Sequence, residues 1–272
     1  MTIRSRGLLA AVFLALLPAC ASAQCSRPLQ VPVAPIGQAI TVSAGNKIGG
    51  IYPELLRAEA AKQGCSIEFV VVPRARQEML YQVGQADLLV PARRSARRDA
   101  GGIFVPMIQS RAVLVSLGPQ PPVVHSLSEL LAHRELRVGV VRGYDYDQSY
   151  NLLIEKLSEQ HRLVEATDPF SLARMLDAKM ADLAVLTPTV ITGALRDDAR
   201  LRPLIERLHI ETTDELPWGE SGVYIASHST LSPADRKRVQ TMLEHIAKSG
   251  AAWRAFQHYY PEANLSESLR PR

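Results

Sequence analysis

Short apolar runs alternate with amphipathic segments from residue 39 onward. The runs are rich in β-branched residues and predict strands, whereas the segments between them have the spacing and end signals of helices. The predicted strands are residues 39–44, 66–72, 86–90, 112–117, 136–141, 162–165 and 181–186. The predicted helices are residues 53–63, 74–83, 126–135, 145–159, 168–180 and one that begins at Thr187. This alternation predicts an α/β fold with mostly parallel sheets covered by helices.

A turn-rich segment, Gly118-Pro119-Gln120-Pro121-Pro122, divides the alternation into two blocks. Each block contains Ala-Asp-Leu between a helix and a buried strand, at Asp87 and again at Asp182. The match is short, so chance is the alternative explanation. The repeat favours two similar lobes over one continuous sheet.

Two further helices are predicted near the C-terminus. The first begins at Ser232-Pro233, a cap followed by a proline at the first helical position. The last helix carries Trp253, Phe256 and Tyr260. We interpret these aromatic residues as packing residues rather than ligand contacts.

The N-terminal segment has the three parts of a secretory signal peptide. Arg4 and Arg6 precede an apolar run at residues 8–17, and Ala21-Ser22-Ala23 follows as a small-residue cleavage pattern. The sequence therefore predicts a signal peptide at residues 1–23 and a periplasmic protein. A buried core helix and a lipoprotein that is anchored at Cys20 are the alternatives.

Composition and charge narrow the function. The chain has 272 residues, of which 47% are hydrophobic, 21% charged and 6% aromatic, as in an ordinary globular protein. The net charge of +4 falls to +2 when Arg4 and Arg6 are removed with the signal peptide. Such a nearly balanced charge gives no case for nucleic-acid binding.

The three cysteines are Cys20, Cys25 and Cys65. Cleavage after Ala23 removes the first and leaves a pair in an oxidising compartment, so a Cys25–Cys65 disulfide is expected. The alternative is that Cys65 is a small buried apolar residue.

The sequence lacks the common enzyme motifs. It contains no G-x-S-x-G, no Walker A loop and no G-x-G-x-x-G, and its seven histidines have no metal-ligand spacing. We therefore expect no cofactor, no metal and no catalytic residues. Acid–base sites need no such motif, so an enzyme stays a second possibility.

Four arginines lie within six residues, in Arg93-Arg94-Ser95-Ala96-Arg97-Arg98. The cluster follows a predicted strand, and ligands bind at the carboxyl ends of strands in parallel α/β sheets. A guanidinium can hold a carboxylate through two parallel hydrogen bonds. The cluster predicts an anion site, with a solvated basic loop as the alternative. Arg74 and Arg76 follow another predicted strand, where they either line the same cleft or form surface charges.

The order of several motifs resembles the extracytoplasmic solute-binding proteins of family 3, which have the type 2 periplasmic binding fold and include amino-acid receptors of ABC transporters. The first lobe matches through Gly84-Gln85-Ala86-Asp87-Leu88-Leu89-Val90, Ser95-Ala96-Arg97-Arg98 and Phe104-Val105-Pro106. The second lobe matches through residues 136–143 and 181–184. The resemblance covers nearly the whole chain after the signal peptide.

This resemblance implies two α/β lobes that are joined by crossing strands and close on a ligand. Lobe 1 is expected at residues 27–116 plus 222–272, and lobe 2 at 117–221. Arg98 matches the arginine that holds a ligand carboxylate, and Tyr144 matches a second-lobe residue that faces the ligand. The candidate ligand-binding residues are Arg98, Ser95, Arg93, Tyr144, Thr187, Tyr52 and Glu220.

One departure from the family pattern concerns the ligand. Thr187 stands where amino-acid receptors have an aspartate for the ligand ammonium, and Lys47 adds positive charge in the first ligand loop. An ordinary α-amino acid is therefore doubtful, and an anionic or carboxylate-bearing solute is favoured. We expect Thr187 both to cap a helix and to face the cleft. Glu220 either binds a cationic ligand group in place of the missing aspartate or is an exposed loop residue.

The resemblance also implies the partners. The expected protein is a monomer that delivers its small-molecule ligand to a membrane permease. Two alternatives stay open, an enzyme similar to cyclohexadienyl dehydratase and a ligand-sensing subunit of a membrane receptor. For the enzyme, Glu220 is the one acid that the sequence places near the hinge.

Overall fold

The computed structural model describes residues 24–118, 122–260 and 265–272. The predicted signal peptide and Cys20 lie outside these residues. Within the described ranges, no helix is long and apolar enough to cross a membrane.

The first half of the chain builds one set of strands and helices. Its elements are β1 (Leu29–Val33), β2 (Thr41–Ser43), β3 (Lys47–Gly49), α1 (Ile51–Lys62), β4 (Ile67–Val71), α2 (Arg74–Gln82), β5 (Leu88–Arg93), α3 (Ala96–Asp99) and β6 (Gly102–Ser110). Strands β1 and β4 pair in parallel, and β2 and β3 form a short hairpin. The predicted helices at 53–63 and 74–83 are confirmed within two residues at each end.

The middle of the chain builds a second set. Its elements are β7 (Val113–Leu117), α4 (Leu127–Ala132), β8 (Val138–Val141), α5 (Gln148–Glu159), β9 (Leu163–Ala166), α6 (Pro169–Asp177), β10 (Leu183–Leu186), α7 (Pro188–Asp197) and β11 (Leu208–Glu211). They form a sheet of five strands in the order β11-β7-β10-β8-β9. Strands β8, β9 and β10 are parallel, as predicted, and β7 and β11 run antiparallel to their neighbours.

The C-terminal segment returns to the first set. Its elements are β12 (Gly219–Ala226), α8 (Pro233–Ser249), α9 (Ala251–Tyr259) and β13 (Leu269–Pro271). Strand β12 lies between β5 and β6, so the chain crosses back between the two sheets just before residue 219. Strand β7 joins the second sheet although the sequence placed residues 113–116 in the first lobe. The boundaries proposed for the lobes at 116 and 221 stay a prediction.

Each lobe has its own hydrophobic core. One core surrounds the five-stranded sheet and includes Val138, Leu172 and Leu186, all fully buried. The other packs α1, α8 and α9 against the first sheets and includes Leu56 and Val239. The expected disulfide joins Cys25 to Cys65, whose Cα atoms are 4.8 Å apart, and it ties the first described residues to the end of α1. The two cores belong to two separate sets of strands, and a cleft lies between the sets.

Candidate functional site

The cleft lies at the carboxyl ends of β5, β8 and β10, where ligands bind in α/β sheets. The cavity within it has a volume of about 80 Å³. Both lobes line it. Its polar and charged side chains include Tyr52, Arg74, Arg93 and Arg98 from the first lobe, and Tyr144, Asp145, Tyr146 and Thr187 from the second.

Arg98 is buried at the floor of the cleft, on the short helix α3. Its Nε and Nη2 atoms donate to the Glu78 carboxylate at 3.2 and 2.6 Å, and Nη1 donates to the Arg93 carbonyl at 2.8 Å. Burial alone would lower the pKa of Arg98, but the Glu78 carboxylate more than offsets this effect and raises it. The Arg98 guanidinium, which the sequence predicted to bind a ligand carboxylate, therefore binds the carboxylate of Glu78 instead.

Glu78 also holds Arg74, at the first residue of α2. The Arg74 Nη2 atom donates to Glu78 at 2.7 Å, and Nη1 donates to Gln77 at 2.8 Å and to the Pro91 carbonyl at 3.0 Å. Burial would raise the pKa of Glu78, but Arg74 and Arg98 hold it below its usual range. Burial lowers the pKa of Arg74. One carboxylate therefore positions two buried guanidinium groups beside the cleft.

Arg93, the last residue of β5, reaches from the first lobe to the second. Its Nη2 atom donates to Asp147 at 3.1 Å and to the Pro217 carbonyl at 2.7 Å, and Nη1 donates to the Ser110 carbonyl. Burial lowers its pKa. Arg93 therefore joins β5, the crossing segment near Pro217 and the start of α5.

Asp145 reaches in the opposite direction, from the second lobe to the first. Its Oδ2 atom accepts hydrogen bonds from Ser95 at 3.1 Å and Arg97 at 3.3 Å. Burial would raise the pKa of Asp145, but Arg98 and Arg97 hold it below its usual value. The arginine cluster thus contacts an acid of the other lobe. Ser95, which the sequence predicted to bind the ligand, lies at the rim of the cleft, where its hydroxyl donates to Asp145.

Thr187 stands at the N-terminus of α7 and lines the cleft, as expected. Its backbone amide donates to the Tyr146 hydroxyl at 3.1 Å, while its side chain makes no capping hydrogen bond. Thr187 is the N-cap residue of α7, as expected, but its hydroxyl lies 3.5 Å from the Tyr146 hydroxyl and does not accept from the first turn of the helix. Tyr144 and Tyr146 contact each other edge to face, with ring centres 6.1 Å apart.

Glu220 and Lys47 lie away from the floor of the cleft. The Glu220 carboxylate accepts from Arg94 at 3.1 Å in a solvent-accessible ion pair, and Lys47 is exposed on β3. The structure therefore brings Arg98, Arg93, Tyr144, Thr187 and Tyr52 together, with Ser95 at the rim and Glu220 outside. The ligand-binding roles of all seven stay predictions.

Two contributions to the cleft were underestimated from the sequence. Arg74, left open between cleft and surface, is buried in the wall. Phe256 and Tyr260, interpreted as packing residues, also line the cleft, and the Tyr260 hydroxyl donates to the Thr189 carbonyl at 2.9 Å.

The two lobes approach closely beside the cleft. A Cβ atom at Gly193 would lie 2.3 Å from the Gly37 Cα atom, and one at Gly143 would lie 3.0 Å from the Ala75 Cα atom. Each contact joins backbone of one lobe to backbone of the other. The distance excludes a Cβ atom at Gly193, and at Gly143 the tight contact and a φ of +84° both favour glycine. In the described ranges, no group of three or more His, Cys, Asp or Glu side chains could hold a metal ion.

No protein-family model matches the chain, and no curated protein matches it in sequence. Solved structures do match. A histidine kinase sensor domain with similarity to periplasmic binding proteins has a TM-score of 0.70 at 18% identity, over 87% of this chain and 96% of that one. The substrate binding protein of an amino acid ABC transporter has a TM-score of 0.64 at 17% identity, over 86% and 99%.

A third structure is the ancestral amino-acid-binding protein AncCDT-1, a precursor of cyclohexadienyl dehydratase. Its TM-score is 0.66 at 15% identity, over 86% of this chain and 95% of that one. At sequence identities this low, the similarity supports a shared fold but not a shared ligand. The fold that the resemblance implied is confirmed, and this chain has the two-lobe, type 2 fold of periplasmic binding proteins.

Proposed function

We propose that this protein captures a small, carboxylate-bearing solute in the periplasm and delivers it to the permease of an ABC-type transporter. The observation that carries the proposal is the cleft, in which buried arginines of one lobe face tyrosines and a helix N-terminus of the other. Positive charge and helix N-termini both favour an anion. The substrate binding protein of an amino acid ABC transporter, which shares the fold, supports the transport role.

Closure explains how such a cleft binds a solute. A ligand that contacts both lobes binds the closed state better than the open one, and therefore shifts the population towards closure. The inter-lobe bonds from Arg93 to Asp147 and from Ser95 to Asp145 support a closed state of this kind. We propose that Arg93, Arg98, Tyr52, Tyr144 and Thr187 line the ligand-binding site.

A thermal-shift screen of the secreted protein tests the proposal. The panel contains amino acids, mono- and dicarboxylates, sugar acids and polyamines at millimolar concentration. Binding to the folded state stabilises it by RT ln(1 + [L]/Kd), so weak ligands also raise the melting temperature. We expect at least one carboxylate to raise it. If no compound raises the melting temperature, the solute-binding role fails.

Two alternatives have specific support. The similar histidine kinase sensor domain supports a sensing subunit, and an enzyme stays the other alternative because a similar amino-acid-binding protein is a precursor of cyclohexadienyl dehydratase. A sensor also binds a ligand, so only co-purification with a permease or with a receptor separates it from a transport protein. The enzyme needs a positioned acid, and Glu220 is engaged with Arg94 at the surface. Turnover of prephenate or arogenate by the purified protein would favour the enzyme.

A further inference from the structure

Several buried hydrogen-bond donors of the cleft have no partner in the protein. Among the described residues, the unpartnered buried atoms include the Tyr52 and Tyr144 hydroxyls and the Nε atoms of Arg74 and Arg93. The side chains of Tyr52, Arg74 and Arg93 are more than nine-tenths buried, and the Tyr144 hydroxyl is buried although its ring is partly exposed. All four residues line the same cleft. Because buried polar groups almost always have partners, this concentration at one site requires an explanation.

The four donors form two groups. The Arg74 guanidinium lies 6.0 Å from the centre of the Tyr144 ring, so these two residues stand together. Tyr52 and Arg93 form the second group, because both lie near Ser221. Ser221 pairs with Arg93 across strands β12 and β5, and the Tyr52 hydroxyl lies near the Ser221 side chain but makes no hydrogen bond of normal geometry with it. An Nε–H can only donate, and a phenol hydroxyl can donate as well as accept. A group that satisfies all four must therefore offer acceptor oxygens.

The acids near the cleft are already engaged. Glu78 accepts from Arg74 and Arg98, and Asp145 accepts from Ser95 and Arg97. These bonds leave no carboxylate for a ligand ammonium at these positions.

Asp147, the third carboxylate beside the cleft, accepts from Arg93 and from the first amides of α5. Among the described side chains that line the cleft, Arg74, Arg93 and Arg98 are cationic and Asp145 is the one acid, and its carboxylate is engaged by Ser95 and Arg97. Thr187, where the sequence departs from amino-acid receptors, brings no charge. The electrostatics favour a ligand with negative charge and without a cationic group.

The rest of the wall is apolar. Ile36 and Val190 line the cleft from opposite lobes, and Phe256 lies beside them. A hydrocarbon body would contact this part of the wall while oxygen atoms reach the donors.

We propose that the solute is a small carboxylate without an ammonium group, and that its oxygens accept from Arg74, Arg93, Tyr52 and Tyr144 instead of from Arg98. The inference rests on the proposed solute-binding function. In this arrangement Glu78 keeps Arg98 as a positioning residue. The donors that remain free for the ligand are those with no protein partner.

Matched ligand pairs test the class of solute. Calorimetry compares succinate with L-aspartate, glutarate with L-glutamate, and butyrate with L-2-aminobutyrate, because each pair differs by one ammonium group. We expect the acid without the ammonium to bind at least about tenfold more tightly in the pair that binds best, since the ammonium would be desolvated without a carboxylate partner. Tighter binding by the amino acid would overturn the inference.

Isosteric variants test the residues. Tyr52→Phe and Tyr144→Phe remove hydroxyls that have no protein partner, so the ligand-free melting temperature should stay unchanged or rise. The Kd for the tightest carboxylate of the panel should rise at least about tenfold in each variant, as expected for the loss of a hydrogen bond to a charged group. Tyr146→Phe is the matched control, because its hydroxyl accepts from Thr187 and its loss should lower the ligand-free melting temperature.

The outcomes separate the two proposals. Unchanged affinity in Tyr52→Phe and Tyr144→Phe, or a ligand-free destabilisation as large as in Tyr146→Phe, overturns the inference while solute binding stands. If only amino acids or polyamines bind, the inference is likewise overturned and solute binding stands. If no compound of any class binds, the proposed function fails and the inference fails with it.

Discussion

The Ala-Asp-Leu repeat makes the same pair of hydrogen bonds in both lobes. In the first lobe, the Asp87 amide donates to the Gln30 carbonyl at 2.8 Å, and the Gln30 amide donates to the Asp87 carboxylate at 2.7 Å. In the second lobe, Asp182 exchanges the same two bonds with Arg137, both at 2.9 Å. Each aspartate ties the beginning of one strand to a strand beside it. The short sequence match thus corresponds to one structural device used twice.

The lobes differ at the other end of the same strands. Strand β5 ends at Arg93 and leads into the arginine cluster, whereas β10 leads through Thr187 directly into the N-terminus of α7. The first-lobe wall of the cleft, here called the arginine wall, therefore carries Arg74, Arg93 and Arg98, and the opposite wall carries tyrosine hydroxyls, the N-terminus of α7 and one carboxylate, Asp145. The two lobes therefore share the same backbone scaffold but carry different side chains at the carboxyl ends of their strands. Variants of each wall should consequently differ in the size of their effect.

Glu78→Gln should have the largest effect, because Glu78 neutralises the arginine wall. It accepts from Arg74 at 2.7 Å and from Arg98 at 2.6 Å, and all three side chains are buried. Removing one partner of a buried ion pair leaves uncompensated charge and typically costs about 3–5 kcal/mol. We expect a loss of that size in the free energy of unfolding, measured by urea denaturation.

Glu220→Gln is the control for this prediction. Glu220 also binds an arginine, Arg94, but the pair is solvent-accessible, and such pairs contribute about 0–1 kcal/mol. If Glu78→Gln lost no more unfolding free energy than Glu220→Gln, the Glu78 carboxylate would not be needed to hold Arg74 and Arg98 in place.

The repeated aspartates provide the second comparison. Asp87→Ala removes an acceptor that Gln30 and Arg27 share, at 2.7 Å each, and the Asp87 side chain is almost fully buried. Hydrogen bonds to charged groups contribute about 1.5–3 kcal/mol, so we expect a loss in this range. Asp182→Ala should cost only about 1 kcal/mol, since Asp182 is a quarter exposed. Equal losses of unfolding free energy would mean that the added bonds of Asp87 contribute nothing.

Periodicity predicted most of the scaffold but missed several strands, among them β1 and β6. Strands β1 and β6 carry Pro32 and Pro106, which interrupt a strand pattern, and the sequence alone therefore gave neither of them. The return of β12 between β5 and β6 is a pairing between distant residues, so no local pattern shows it. The disulfide was predictable because cleavage of the predicted signal peptide would leave two cysteines.

The site was predictable in place but not in detail. The arginine cluster lies at the cleft because it follows a strand, which is a local property. That Glu78 holds Arg98 depends on the packing of α2 against α3, which spacing does not reveal. The same packing explains why Arg74, indistinguishable in sequence from the exposed Arg76, is buried in the wall.

Asp145 should give a small effect and a pH dependence, because it is a second-lobe acid that contacts Arg97 of the arginine cluster. Burial would raise its pKa, but Arg98 and Arg97 hold it below its usual value of 3.8. A carboxyl whose pKa is lower in the folded state stabilises the protein above its unfolded pKa, and the contribution is lost as the pH falls through the folded pKa. Asp145→Asn should therefore cost about 1 kcal/mol at neutral pH, a discounted value because Arg97 is half exposed.

The measurement is urea denaturation of the wild-type protein and Asp145→Asn at a series of pH values. The difference in unfolding free energy should be constant between pH 7 and about pH 5, and should shrink as the pH falls below 3.8. Other carboxylates titrate in both proteins, so their contributions cancel in the difference. If the difference in unfolding free energy between the wild-type protein and Asp145→Asn did not shrink in acid, the charge of Asp145 would not stabilise the contact between the lobes. The difference in charge between the two walls would then not help to hold the lobes together.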